Sequence, residues 1–242
     1  MSSSLGDSQA EFDQENLNED VARMRGLWIN EMNAPELLPY DEEVVSEMLD
    51  QIRNQQEYVD SVSEDKASLN EERAFVNKLY QMEIDRLRYM VASYLRTRLR
   101  KIEKFALHLL GDAVLTQRLS QKELNFAKQY VVLFETHVND LALGKFAEEH
   151  RSITTEGMGA FSLYICGDVS CSLNNYFDLF DLAVVMEPDL DAFVFCESKA
   201  SLGQLQCDDR GAEYITLRKD DRHVLRYRAV RTQVEDGSVA LI

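Results

Sequence analysis

The sequence predicts a mainly α protein with a small β domain: an N-terminal helical (A) domain of about four helices, then a C-terminal β-rich (B) domain. Three observations predict it. Only three prolines and ten glycines stand in 242 residues, which leaves room for long uninterrupted helices. Apolar residues recur at helical spacing through most of the first 150 positions. Beyond about position 190 the texture changes to short β-branched and aromatic runs divided by turn residues. The expected partition is an acidic tail at 1–18, the helical domain at 19–150, a variable linker or insert at 151–176 and the β-rich domain at 177–242.

Residues 1–18 lack apolar periodicity and are expected to be disordered. From about Glu19 to Asn33, Val21, Met24, Leu27 and Trp28 recur as one helical stripe. "APELLPY" breaks that helix, with Pro35 and Pro39 as punctuation. A second helix follows in "DEEVVSEMLDQIRNQQEYVDSV"; its acidic start suits the positive end of the helix dipole. A third is expected from about Ser68 to Leu110, where Gly111 and Asp112 supply a stop. Ser120 with Glu123 three residues on is a capping box, opening a fourth helix that ends near His150. "SITTEGMGAFSLYICGDVSCSLNN", 152–175, shows no clear period and reads as a loop or insert. The runs "AFVFC", "EYITL", "HVLRYRAV" and "SVALI" are the expected strands, with turns at "GQ", "DDRG", "RKDD" and "EDG".

Charge is unevenly spread. The formal total is −17, yet residues 1–65 hold seventeen acidic side chains against three arginines. Such acidity argues against general attraction to phosphate backbones. It does not exclude a local basic site. The start of the chain lacks the pattern of a signal peptide, and the longest apolar runs are too short to span a bilayer. A soluble intracellular protein with no membrane partner and free thiols is expected.

One stretch stands against this background. "RLRYMVASYLRTRLRKIEKF", Arg86–Phe105, has seven basic residues and one acidic one. At 100° per residue, Leu87, Val91, Tyr94, Ile102, Phe105 and Leu109 fall within about 60° of Leu87. Arg86, Arg96, Arg100 and Lys104 lie on the opposite face or its flank. Arg98 falls inside the apolar stripe, and Lys101 at its edge. Three readings compete: a solvated basic face with Arg98 snorkelling, a protein–protein interface, and a nucleic-acid contact. An arginine inside an apolar stripe must find a carboxylate or a row of carbonyls, because an unpaired buried charge is costly. Arg98 and Lys101, with Tyr94 and Phe105, are thus candidates for core or subunit-interface pairing. A stand-alone nucleic-acid module using Arg86, Arg96, Arg100 and Lys104 is the alternative. It is weakened because Tyr94 and Phe105 lie away from the basic face, where they cannot stack on bases. In the C-terminal region Phe193, Phe195, Tyr227, Leu241 and Ile242 are the candidates for sheet packing and docking.

The sequence carries no recognisable catalytic motif. No glycine-rich phosphate loop, GxSxG elbow or HExxH is present. The four cysteines form no CxxC and the four histidines are scattered, so no metal site is expected. Asp189 and Asp191 in "PDLD" read as a turn entering a strand rather than an acid/base pair. No catalytic residue and no cofactor is expected.

Together these segments carry a resemblance. "MEIDRLRYMVASYLRTRLRKIEKF" resembles the signature helix of the Sld-five type subunit (subunit 4) of GINS, a replication complex. "WINEMNAPELL", "LSQKELNFAKQY", and "PDLDAFVF" with "EYITL", "HVLRYRAV" and "GSVALI" follow in that family's order. The match spans roughly 21–150 and 177–242; residues 152–175 have no counterpart and read as a lineage-specific loop or retained non-coding sequence. The resemblance implies a non-catalytic, nuclear protein assembled with three other GINS subunits into a heterotetramer. It further implies contact with the MCM helicase ring and other replisome proteins within the CMG helicase, at initiation and at the replication fork. DNA contact would be indirect or weak.

Overall fold

A computed structural model describes residues 14–64, 70–141, 186–207 and 214–242. Among them are six helices: α1 (Gln14–Asn33), α2 (Glu42–Glu64), α3 (Glu71–Gly111), the single turn α4 (Ala113–Thr116), α5 (Gln121–Leu141) and α6 (Tyr227–Glu235). Five strands accompany them: β1 (Phe193–Ser198), β2 (Gly203–Gln206), β3 (Tyr214–Leu217), β4 (Arg222–Arg226) and β5 (Val239–Leu241). The fold is a helical N-terminal portion followed by a small strand-containing C-terminal portion. The 152–175 insert and the expected end of the fourth helix near His150 lie outside the described residues.

Two compact units divide the chain. The first comprises residues 1–32 and 41–95, the second residues 33–40 and 96–242. In the first unit, α2 and α3 run antiparallel: Gln56 bonds Gln81, and Asn77 donates to the Val59 carbonyl and to Ser63. Met24, Val44, Met48, Ile52, Leu87 and Val91 of the apolar stripes read from the sequence are buried there, whereas Val21, Leu27 and Trp28 are half-buried and Leu49 is exposed. Trp28 donates its indole N–H to Ser93 Oγ at 3.1 Å and meets Tyr89 edge-on.

In the second unit, β4, β1 and β5 form an antiparallel sheet with β1 in the centre. Alternation sorts its faces. Val194, Cys196, Leu225, Val239 and Leu241 point into the core, while Phe193, Phe195 and Val224 point out. Strands β2 and β3 form a separate two-stranded sheet. Two turns need the left-handed region: Gly237 (φ 74°) between α6 and β5, and Asp220 (φ 65°) between β3 and β4. Asp tolerates that region better than most residues.

Three sequence expectations need correction. Helix α1 begins at Gln14 rather than Glu19; no proline or glycine stands between them to stop it. "HVLRYRAV" is not one strand: β4 ends at Arg226 and α6 starts at Tyr227. The period changes there, since Tyr227, Val230 and Val234, spaced three and four apart, form one buried helical stripe. "GQ" at 203–204 lies in β2 rather than in a turn. That strand exists through its pairing with β3, not through its own side-chain pattern.

Candidate functional site

The site grows from the connector between α1 and α2. Pro35 and Pro39 bar helix here and push Ala34 and Leu38 toward extended backbone. An extended segment without a neighbouring strand leaves its carbonyls to find other donors. Three cations supply them. Lys101 Nζ donates to the Glu36 carbonyl at 2.8 Å, Arg118 to the Leu37 carbonyl at 3.0 Å, and Arg98 to the Leu38 carbonyl at 2.7 Å. The Tyr40 N–H donates to the Arg118 carbonyl at 3.0 Å.

Arg98 is the centre of this arrangement and is 0 % exposed. Its Nε and Nη2 donate to the two carboxylate oxygens of Glu123 at 2.7 and 3.1 Å, a bidentate pair. Nη2 also reaches the Arg118 carbonyl, and the guanidinium lies 5.2 Å from the Tyr40 ring centroid. Glu123 does a second task. It closes the capping box of α5, accepting from the Ser120 N–H at 2.9 Å while Ser120 Oγ accepts from the Glu123 N–H. The capping motif therefore aims the carboxylate that neutralises Arg98.

A second cluster surrounds Glu36, which is 3 % exposed. Its carboxylate accepts from Tyr227 Oη at 2.9 Å and from Arg231 Nε and Nη2 at 2.7 Å each. Arg118 Nη1 lies 3.2 Å away, and Arg118 Nη2 bonds Glu235 at 2.5 Å. Burial, and then the neighbouring Glu36 carboxylate, push the Tyr227 phenol far above its ordinary range, so it stays a donor. The connector's apolar residues take opposite sides. Ala34 and Leu38 join the core of β1, β4, β5 and α6, whereas Leu37 joins Ile102, Phe105, Leu109 and Ala127.

The remaining candidates fall elsewhere. Tyr94 is buried, and Phe105 is buried at a break in α3 where its backbone leaves helical geometry (φ −113°, ψ 18°). Arg96 and Arg100 are exposed on α3. Arg86 is held by Glu83, and their shared hydrogen bond raises the pKa of Arg86 and lowers that of Glu83. Lys104 lies 5.1 Å from the Phe105 ring centroid. Tyr227 and Leu241 are core residues, and Ile242 donates its N–H to the Phe195 carbonyl. Phe193 and Phe195 stand 68 % and 64 % exposed, with Arg226 over the Phe193 ring. Sequence reasoning missed Glu36, Arg118 and Arg231. A glutamate between two prolines looks like solvent-facing loop, and only its tertiary partners mark it. Among the described residues no cluster of His, Cys, Asp and Glu could hold a metal ion, and no helix is long and apolar enough to cross a membrane.

Residues 45–142 match the GINS complex protein helical bundle domain of Sld5, and residues 188–242 the C-terminus of DNA replication complex GINS protein SLD5. The SLD5 protein of Arabidopsis thaliana is 30% identical over 224 residues, 92% of this chain and 91% of its own length. The chain belongs to the SLD5 family of GINS proteins. The human SLD5 protein is 28% identical over 231 residues, 92% of this chain and 88% of its own. That of Schizosaccharomyces pombe is 30% identical over 217 residues, 89% and 88%. The helical bundle match contains Arg98, Lys101, Arg118 and Glu123, and the C-terminal match contains Tyr227, Arg231 and Glu235; Glu36 precedes both.

Proposed function

We propose that the protein is the Sld-five, or fourth, subunit of a heterotetrameric GINS complex, a non-catalytic structural component of nuclear DNA replication. On this reading it joins three other GINS subunits, and through them the MCM ring and other replisome proteins of the CMG helicase. A helical A domain ahead of about residue 150 and a β-rich B domain after about 177 would be its two working parts. Arg98 and Lys101, with Tyr94 and Phe105, would shape the helical core rather than meet DNA.

The observation that carries the reading is a division of labour between charge and apolar surface. Arg98 and Lys101, the basic residues within or beside the apolar stripe, are consumed by internal partners. Large apolar side chains are left exposed instead: Phe75, Val76, Leu79 and Tyr80 on α3, Val132 and Leu133 on α5, and Phe193 and Phe195 on the sheet. A surface so arranged suits protein partners. Co-expression with the other three subunits from the same source, followed by native mass measurement, tests it. A 1:1:1:1 assembly is expected. A chain that stays monomeric in their presence would overturn the reading.

A further inference from the structure

The described chain leaves α5 at Leu141 and resumes at Met186, just ahead of β1. The covalent path to the C-terminal strands is therefore long. Yet α6 is held by the connector, more than 150 residues earlier in sequence, and by Arg118. Its anchor is a single buried anion. Glu36 accepts three hydrogen bonds from two residues of α6, Tyr227 and Arg231, all between 2.7 and 2.9 Å. Arg118 bridges the same carboxylate to Glu235 at the end of α6. The connector itself is clamped from the other side, its carbonyls at Glu36, Leu37 and Leu38 held by Lys101, Arg118 and Arg98.

We infer that Glu36 is the anchor of a polar latch through which the α1–α2 connector holds the C-terminal β domain in place. The domain is in effect an intramolecular ligand of the connector. Removing the anion leaves the buried Tyr227 hydroxyl without its acceptor, whereas Arg231, partly exposed, keeps Glu235 at 3.7 Å. Ala34 and Leu38 supply the apolar floor beneath it.

A nicked full-length chain tests this. A protease recognition sequence placed between Gly157 and Met158 allows the folded protein to be cut into residues 1–157 and 158–242. Size-exclusion chromatography then reads whether the pieces stay together. The unsubstituted fragments are expected to co-elute. Glu36→Ala is expected to weaken their association about a hundredfold and to release the C-terminal piece. Arg231→Ala, at a one-third-exposed position that tolerates truncation, is expected to weaken it about tenfold. Circular dichroism of the 1–157 piece separates release from collapse of the helices. Separation of the unsubstituted fragments would overturn the inference. So would co-elution of the Glu36→Ala and Arg231→Ala fragments with affinities within threefold of the parent.

Discussion

Replacing Arg98 with alanine removes the densest set of interactions in the second unit. The side chain is wholly buried, forms a bidentate pair with Glu123 and donates to the Leu38 and Arg118 carbonyls. Truncation leaves Glu123 buried opposite nothing, although the Ser120 N–H still supports it. Breaking a buried pair by removing one partner costs about 3–5 kcal/mol. For a chain of this length each kcal/mol lowers Tm by roughly 2–4 °C, so a fall of about 10 °C is expected. Urea denaturation of the single variants Arg98→Ala and Glu123→Ala and of the double variant provides the assay. The double variant should lose less than the sum of the two, with a coupling of roughly 2 kcal/mol or more. An Arg98→Ala variant within about 0.5 kcal/mol of the parent, the range of ordinary surface changes, would show that the pair holds nothing together.

Five further outcomes are expected. Tyr227→Phe should cost about 1–2 kcal/mol in chemical denaturation, the cost of leaving part of the Glu36 carboxylate unpaired. The raised Tyr227 pKa has a signature of its own: the folded state keeps the proton that the unfolded chain releases. Its stabilising contribution is therefore complete below about pH 10 and declines as pH rises above it; denaturation between pH 8 and 11 should show the decline in the parent and a shallower one in Tyr227→Phe. Val230→Ala should cost about 2 kcal/mol by opening a cavity in the core beneath α6, whereas Arg96→Ala with Arg100→Ala, both exposed, should stay within about 0.5 kcal/mol in the same assay. Val132→Ser with Leu133→Ser, both at exposed positions, should abolish co-purification with the other GINS subunits while leaving the circular dichroism spectrum unchanged.

The sequence by itself determined the existence of α1, α2, α3 and α5 and the apolar face of α3. Heptad-like spacing in α3 is a local property, so Leu87, Val91, Tyr94, Ile102 and Phe105 could be assigned to one buried stripe before any fold was known. The same arithmetic placed Arg98 within that stripe and demanded a carboxylate or carbonyls for it. The capping box at Ser120 and Glu123 was legible because its two residues are three apart. Tertiary structure decided what local spacing cannot carry. That Glu123 meets Arg98 is a pairing across 25 positions, and that Glu36 meets Arg231 is one across 195. "APELLPY" read as a helix break, and its prolines do prevent helix; nothing in its seven residues says that each successive carbonyl will face a different cation. The switch from β4 to α6 within "HVLRYRAV" failed for a related reason. β-branched and aromatic residues suit a strand and a buried helical stripe alike, and only the core formed by Tyr227, Val230 and Val234 with β1 and β5 chose between them.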